Sequence, residues 1–157
     1  MNRDAGSWDL VVEREISAPP ETVWPMIADV TRMGEWSPES GNGQWLDGAT
    51  GPAVGARFKV LNRNRWRRWS IVSEVVECEP DRLFSFDPLI RGRPYCTWSY
   101  EIEAQSEGCV VRERWVDKRG RLFIVLGTIA TGVSDRMAHN RLTMVATLDR
   151  LAAAAEG

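Results

Sequence analysis

Glu113 lies in "VVRERWV", two residues after Val111 and two before Trp115, so on an extended strand it shares a face with an aliphatic residue and an indole. A carboxyl group held among indoles has its charged form disfavoured unless a cation pairs with it, and Arg14 and Arg141 are the candidate cations. Two roles follow from that position. Glu113 is either a general acid or base, or half of an ion pair that fixes a helix on a sheet. Tyr100 can add a phenol, and Asn62, in phase with Phe58 and Val60, an amide.

The single histidine, His139, sits in "SDRMAHNR" beside Asp135, Asn140 and Arg141. On a helical wheel centred on Met137, the residues Val133, Met144, Leu148 and Leu151 fall within about 40°, whereas His139 lies at about 200° and Asp135 at about 160°. His139 is therefore expected to face solvent, in a surface i,i+4 contact with Asp135, and not to act as a base. Arg141 and Asn140 fall at the margins of the apolar stripe, which keeps Arg141 as a ligand-contact candidate alongside snorkelling or a structural ion pair. Met137 and Met144 are placed on the buried stripe. Cys78, Cys96 and Cys109 are widely spaced, without a C-x-x-C, so neither a disulfide framework nor a zinc site is expected; Cys96 is read as a small apolar residue. No cofactor or metal is expected, and no Ser-His-Asp order or phosphate-binding loop is present.

Alternating strands must position these groups. Residues 8–17 alternate as a strand, "SAPPETVWPMIADV" starts a helix at its prolines, and "TRMGEWSPES" continues as a short second helix. Alternating runs follow at 43–47, 55–64, 66–78, 82–90, 94–104 and 109–118, joined by turns as short as "EPDR" and "QSEG", which predicts an antiparallel meander. In run 94–104, Cys96, Trp98, Tyr100 and Ile102 share an apolar face, and Thr97, Ser99, Glu101 and Glu103 share the wet one. A sheet greasy on one side needs a cover. The stretch from about Gly132 to Ala155, free of proline and of internal glycine, supplies it as a long helix; "GRLFIVLGTIATG" before it stays open between loop and helix.

The whole chain, 157 residues, is expected to form one domain, with residues 1–7 a flexible N-terminus. The net charge of −2 gives no overall field for nucleic acid or an anionic membrane, and no apolar run is long enough to span a bilayer. Without a signal-peptide pattern the protein is expected to be cytoplasmic. The run "NRNRWRRWS" interleaves Arg63, Arg65, Arg67 and Arg68 with two tryptophans; stacking on nucleic acid is one reading, a wet strand face and turn the one adopted. Leu142, off the buried face, is a weak sign of a partner contact.

The order of elements, together with "ISAPPETVWPMIADVTRMGEWSPE", "VGARFKVLNRNRWRRWSIVSEVVECEPDRLFSF", "CTWSYEIE", "GCVVRERW" and "TGVSDRMAHNRLTMVATLDRLAAAAE", resembles the START-like (SRPBCC) superfamily, in its polyketide cyclase/dehydrase and lipid transport branch. The resemblance implies an α+β helix-grip fold, a curved antiparallel sheet wrapped around a long C-terminal helix, with a cavity between them for an apolar or aromatic small molecule. Trp36 is then expected near one mouth of that cavity, and Phe58, Trp69, Phe86, Trp98, Tyr100, Glu113, Trp115, Met137, Arg141 and Met144 along it. The expected function is binding of a hydrophobic small molecule. The alternatives are a polyketide cyclase or dehydratase using Glu113, and a protein-interaction or co-chaperone-like module. The expected assembly is a monomer or homodimer.

Overall fold

The computed structural model describes residues 8–157; the segment expected to be a flexible N-terminus lies outside the described residues. Strand β1 (Leu10–Ile16) is followed by α1 (Pro20–Ala28), a 3₁₀ turn at Val30–Arg32 and the single-turn α2 (Met33–Trp36). Pro20 occupies the first helical position of α1, where its missing N–H is no loss.

Seven more strands follow: β2 (Gln44–Trp45), β3 (Arg57–Asn64), β4 (Arg67–Glu79), β5 (Leu83–Ile90), β6 (Arg93–Pro94), β7 (Cys96–Gln105) and β8 (Gly108–Asp117). All pairings are antiparallel, in the order β1-β8-β7-β5-β4-β3-β2, with β6 pairing the end of β5. The sheet is curved and unclosed, as in a helix-grip fold. Its path bends at a bulge, where the β4–β5 register slips between Val75 and Glu77. Gly108 opens β8 at φ 130°, and a Cβ there would stand 2.2 Å from the Ile16 carbonyl oxygen, so the β7–β8 turn can press against the end of β1 only with glycine.

Residues 120–132, left open by the sequence, form helix α3 (Arg121–Thr131), which ends on Gly132 in the left-handed conformation. The long helix α4 (Arg136–Glu156) starts four residues later than expected, because the Asp135 side chain accepts from the Ala138 amide and caps it.

The concave face divides into two halves. Below, Phe58, Val75, Phe84, Ile102 and Val111 of the sheet pack against Val23 and Ile27 of α1 and Leu148 and Leu151 of α4. Phe58 meets Phe86 edge-on at 5.2 Å, so this half is filled by interlocked rings. Above, α4 presents Asn140, Thr143 and Thr147 to the sheet, and space remains between them.

The convex face is drier than expected. Thr97 and Ser99 are buried, the latter accepting from Ser85 Oγ at 2.8 Å, while the Thr97 hydroxyl donates to Asp87 at 2.5 Å. The chain entering β1 explains part of this, because the Arg114 guanidinium lies 5.0 Å from the centre of the Trp8 ring.

Candidate functional site

The space under the N-terminal half of α4 is a cavity of about 420 Å³, within the usual size range for small-molecule sites. Its walls come from alternate residues of neighbouring strands, as period-two geometry requires: Phe58, Val60 and Asn62 of β3, Trp69 and Ile71 of β4, Phe86 of β5, Trp98 and Tyr100 of β7, Glu113 and Trp115 of β8. The pairing registers set Trp98 opposite Trp115 and Tyr100 opposite Glu113. The two indoles lie 6.2 Å apart and form an aromatic wall.

Four of the expected contacts do not line the cavity. Trp36 is buried with its indole N–H donating to the Met26 carbonyl at 3.0 Å, so it anchors the helix pair and does not line the cavity. Met137 is 48% exposed and Arg141 is exposed, and neither lines this cavity. Met144, Leu148 and Leu151 of α4 are buried as the wheel expects, and the stripe widens on one side to take in Asn140 and Thr147. Those polar residues face the cavity, so hydrophobicity alone misplaced Met137 and left out the polar edge of the stripe. Met144 is fully buried, but against Leu10, Cys96 and Trp115 and behind the cavity wall. Leu142 is exposed, on the side of the wheel expected for it.

Glu113 forms the polar floor. Its Oε1 accepts a hydrogen bond from Tyr100 Oη at 2.8 Å, and its Oε2 is buried without a hydrogen-bond partner among the described residues. Burial pushes the carboxyl up to about 8, against the opposing pull of the Tyr100 hydroxyl, so it is mostly a neutral acid at pH 7. Because Oε1 is occupied as an acceptor, the acid proton belongs on Oε2, directed away from Tyr100. The Tyr100 phenol is itself raised well above its ordinary value by burial and by Glu113. Neither expected cation reaches Glu113. Arg14 instead pairs with Asp149 across the β1–α4 seam. Asn62 Oδ1 and both amide atoms of Asn140 are also buried and unpartnered among the described residues, so the cavity wall carries donors and acceptors without protein partners.

A second cluster at the mouth escaped sequence reasoning. Glu39 of the loop after α2 receives the Arg136 guanidinium at 3.0 Å and 3.3 Å, and His139 Nε2 stands 2.9 Å from its Oε2. The His139 side chain therefore does not pair with Asp135 across a wet surface; it turns to a carboxylate 100 residues away in the chain. Burial raises the Glu39 carboxyl, but the hydrogen bonds and charge of His139 and Arg136 outweigh it and hold the group below its ordinary value. Arg136 also donates to Thr131 Oγ1 at 2.9 Å, which ties the start of α4 to the end of α3. Arg119, locked bidentate on Asp117, and Phe123 and Leu126 of α3 complete the rim. Cys96 lines the wall with its thiol pushed up to about 12 by burial, which makes it an inert apolar residue.

Residues 7–156 match the family model described as polyketide cyclase/dehydrase and lipid transport. The chain belongs to this family. Among solved structures it is similar to a Polyketide_cyc-like protein, Cgl2372, from Corynebacterium glutamicum, at 28% identity and TM-score 0.60, over 98% of this chain and 91% of that one. It is similar in fold to the di-domain ARO/CYC StfQ from the steffimycin biosynthetic pathway, at 15% identity and TM-score 0.72, over 94% of this chain and 50% of that one. The Aha1 dimer from Colwellia psychrerythraea shares the fold at 15% identity and TM-score 0.64, over 94% and 95% of the two chains. No curated protein matches the chain. These relations place it in the START-like superfamily, whose members span dissimilar activities, so function has to be argued from the site.

Proposed function

We propose that the protein binds a mainly apolar, flat small molecule bearing at least one oxygen acceptor, in the cavity between the sheet and the N-terminal half of α4. The observation that carries this reading is the join of a rigid aromatic wall, Trp98 and Trp115, to a buried neutral acid whose Oε2 has no protein partner among the described residues. A ligand carbonyl or phenol oxygen accepting from Glu113 would satisfy that group, while the indoles cover the ring faces. Asn140 and Asn62 offer further amide contacts.

Acid catalysis on a polyketide-like substrate is the second reading, and the same carboxyl favours it. A buried acid that titrates near 8 is protonated at neutral pH yet close enough to it to exchange its proton with a substrate oxygen. Membership of the polyketide cyclase/dehydrase family supports a cyclase-like role without specifying a ligand.

Native mass spectrometry of the purified protein, with extraction of any retained compound and titration by tryptophan emission, tests the proposal. An aromatic or acyl compound that rebinds, changes the emission, and loses at least tenfold in affinity in Glu113→Leu but not in Glu113→Gln, whose amide still donates, supports it. Unchanged emission across a panel of such compounds would sink it. Turnover of a bound compound that disappears in Glu113→Gln would favour the catalytic reading.

A further inference from the structure

Helix α3 is apolar and yet mostly uncovered. Leu122, Val125 and Ile129 recur at i, i+3 and i+7 on one face and are 69%, 57% and 67% exposed. The adjoining face, with Phe123 and Leu126, lines the cavity mouth. A helix greasy on both faces with only one against protein leaves an apolar stripe in water, which a soluble surface rarely keeps without use.

The surroundings of that stripe say what it meets. The two-residue turn between β3 and β4 abuts the end of α3: Asn64 Nδ2 donates to the Thr131 carbonyl at 2.9 Å, and the Arg67 guanidinium packs under Gly132. At its tip stands Trp66, 77% exposed, with Arg67 stacked over its ring at 4.4 Å. Arg63, Arg65 and Arg68 flank it, Arg91 and Arg93 lie at the β5–β6 turn on the same end of the sheet, and Arg121 opens α3. None of these arginines has an ion pair among the described residues. The carboxylates nearest this end are already engaged: Asp117 by Arg119, Glu39 by Arg136 and His139, and Asp135 as the cap of α4. Acidic residues gather at the opposite end, as at Glu79 and Asp81 of the β4–β5 turn and Glu103 and Glu107 around the β7–β8 turn. The net charge of −2 averages over this separation and conceals it.

We propose that this end of the molecule docks on an anionic lipid surface, with Leu122, Val125, Ile129 and Trp66 entering the headgroup–acyl boundary and the unpaired arginines meeting lipid phosphates. An interfacial apolar helix beside guanidinium groups without carboxylate partners among the described residues, and an exposed indole, fits that boundary, where apolar and anionic groups meet within one layer. A nucleic acid would satisfy the arginines and Trp66 but leave the stripe of α3 uncovered, and a second copy of the chain would cover the stripe while bringing like charges together. Among the described residues no helix is long and apolar enough to cross a membrane, so docking is peripheral. This inference goes beyond the ligand proposal and does not depend on it. If both hold, the cavity mouth would face the bilayer.

The test is flotation of the intact protein with vesicles of phosphatidylcholine alone and of phosphatidylcholine mixed with phosphatidylglycerol, at low and high salt. The expected result is co-flotation with the anionic vesicles, weakened at least tenfold by high salt, by L122D/I129D and by R63Q/R93Q/R121Q. Emission quenching by brominated acyl chains should fall in Trp66→Phe, which places the indole at the interface. Circular dichroism confirms that each variant is folded, and a collapsed variant is replaced by Leu122→Ser/Ile129→Ser. Absence of flotation by the unmodified protein overturns the proposal, as does equal flotation by the folded variants. A dimer dispersed by L122D/I129D without vesicle binding, or salt-sensitive binding of single-stranded DNA without vesicle binding, assigns the surface to another partner and also overturns it.

Discussion

Replacing Glu113 with glutamine should change how stability depends on pH more than it changes structure. In the folded protein the carboxyl titrates at about 8, and an unperturbed glutamate at 4.5. A raised folded value means that the native state holds a proton the unfolded chain releases. The stabilisation is thus complete below 4.5 and is lost as pH rises towards 8, at up to about 1.4 kcal/mol per pH unit. Between about pH 5.5 and 7.5 this group alone is expected to lower the stability of the unmodified protein by about 2–3 kcal/mol. Glutamine keeps the shape and the acceptor for Tyr100 Oη but cannot ionise, so the variant lacks that decline. The assay is urea unfolding of both proteins across the interval. Groups common to both cancel in the difference, whose midpoint should shift by roughly 1 M for an m-value of about 2 kcal/mol/M. The variant gains on the unmodified protein as pH rises. Parallel profiles would mean that Glu113 is already ionised in the folded protein, and the reading of the cavity floor as a neutral donor would fail.

The remaining predictions concern its neighbours. In Tyr100→Phe, Glu113 loses the hydroxyl that favours its ionised form, so its carboxyl carbon should titrate at a still higher pH by NMR, with a stability cost of about 1–2 kcal/mol. Glu39→Gln removes the charge that Arg136 and His139 share, and should cost about 2–4 kcal/mol at neutral pH and speed amide exchange in the first turn of α4. Because the folded Glu39 carboxyl sits below its ordinary value, its contribution is present above pH 4.5 and fades as pH falls, so thermal melts of wild type and variant should converge in acid. Trp36→Phe loses the bond to the Met26 carbonyl, about 1 kcal/mol, and should leave probe binding unchanged. A tenfold loss of affinity there would return Trp36 to the cavity wall.

The alternation of side chains along each strand was legible in the sequence, because the period of a strand is two and an antiparallel register carries one inward face across its neighbours. That is why Phe58, Trp69, Phe86, Trp98, Tyr100, Glu113 and Trp115 could be assigned together to one side, and why the need for a covering C-terminal helix followed. The inner face of that helix was legible at Met144, Leu148 and Leu151 but not at its first turn. A cavity wall is partly polar, so Asn140 and Thr147 face inward where a hydrophobic wheel puts Met137. Tertiary structure also decided what each polar group meets. Glu39 and His139 come together only because the loop after α2 passes over the start of α4, and Arg14 reaches Asp149 because β1 lies beside that helix. Trp36 turned into the core because the Met26 carbonyl there accepts its N–H. Composition gave a net charge but not its separation, since strand order and turns carry Arg63, Arg93 and Arg121 to one end of the sheet. Local periodicity thus determined the elements and their inner faces, while long-range packing determined which polar atoms are paired, which are left facing the cavity, and which surface remains uncovered.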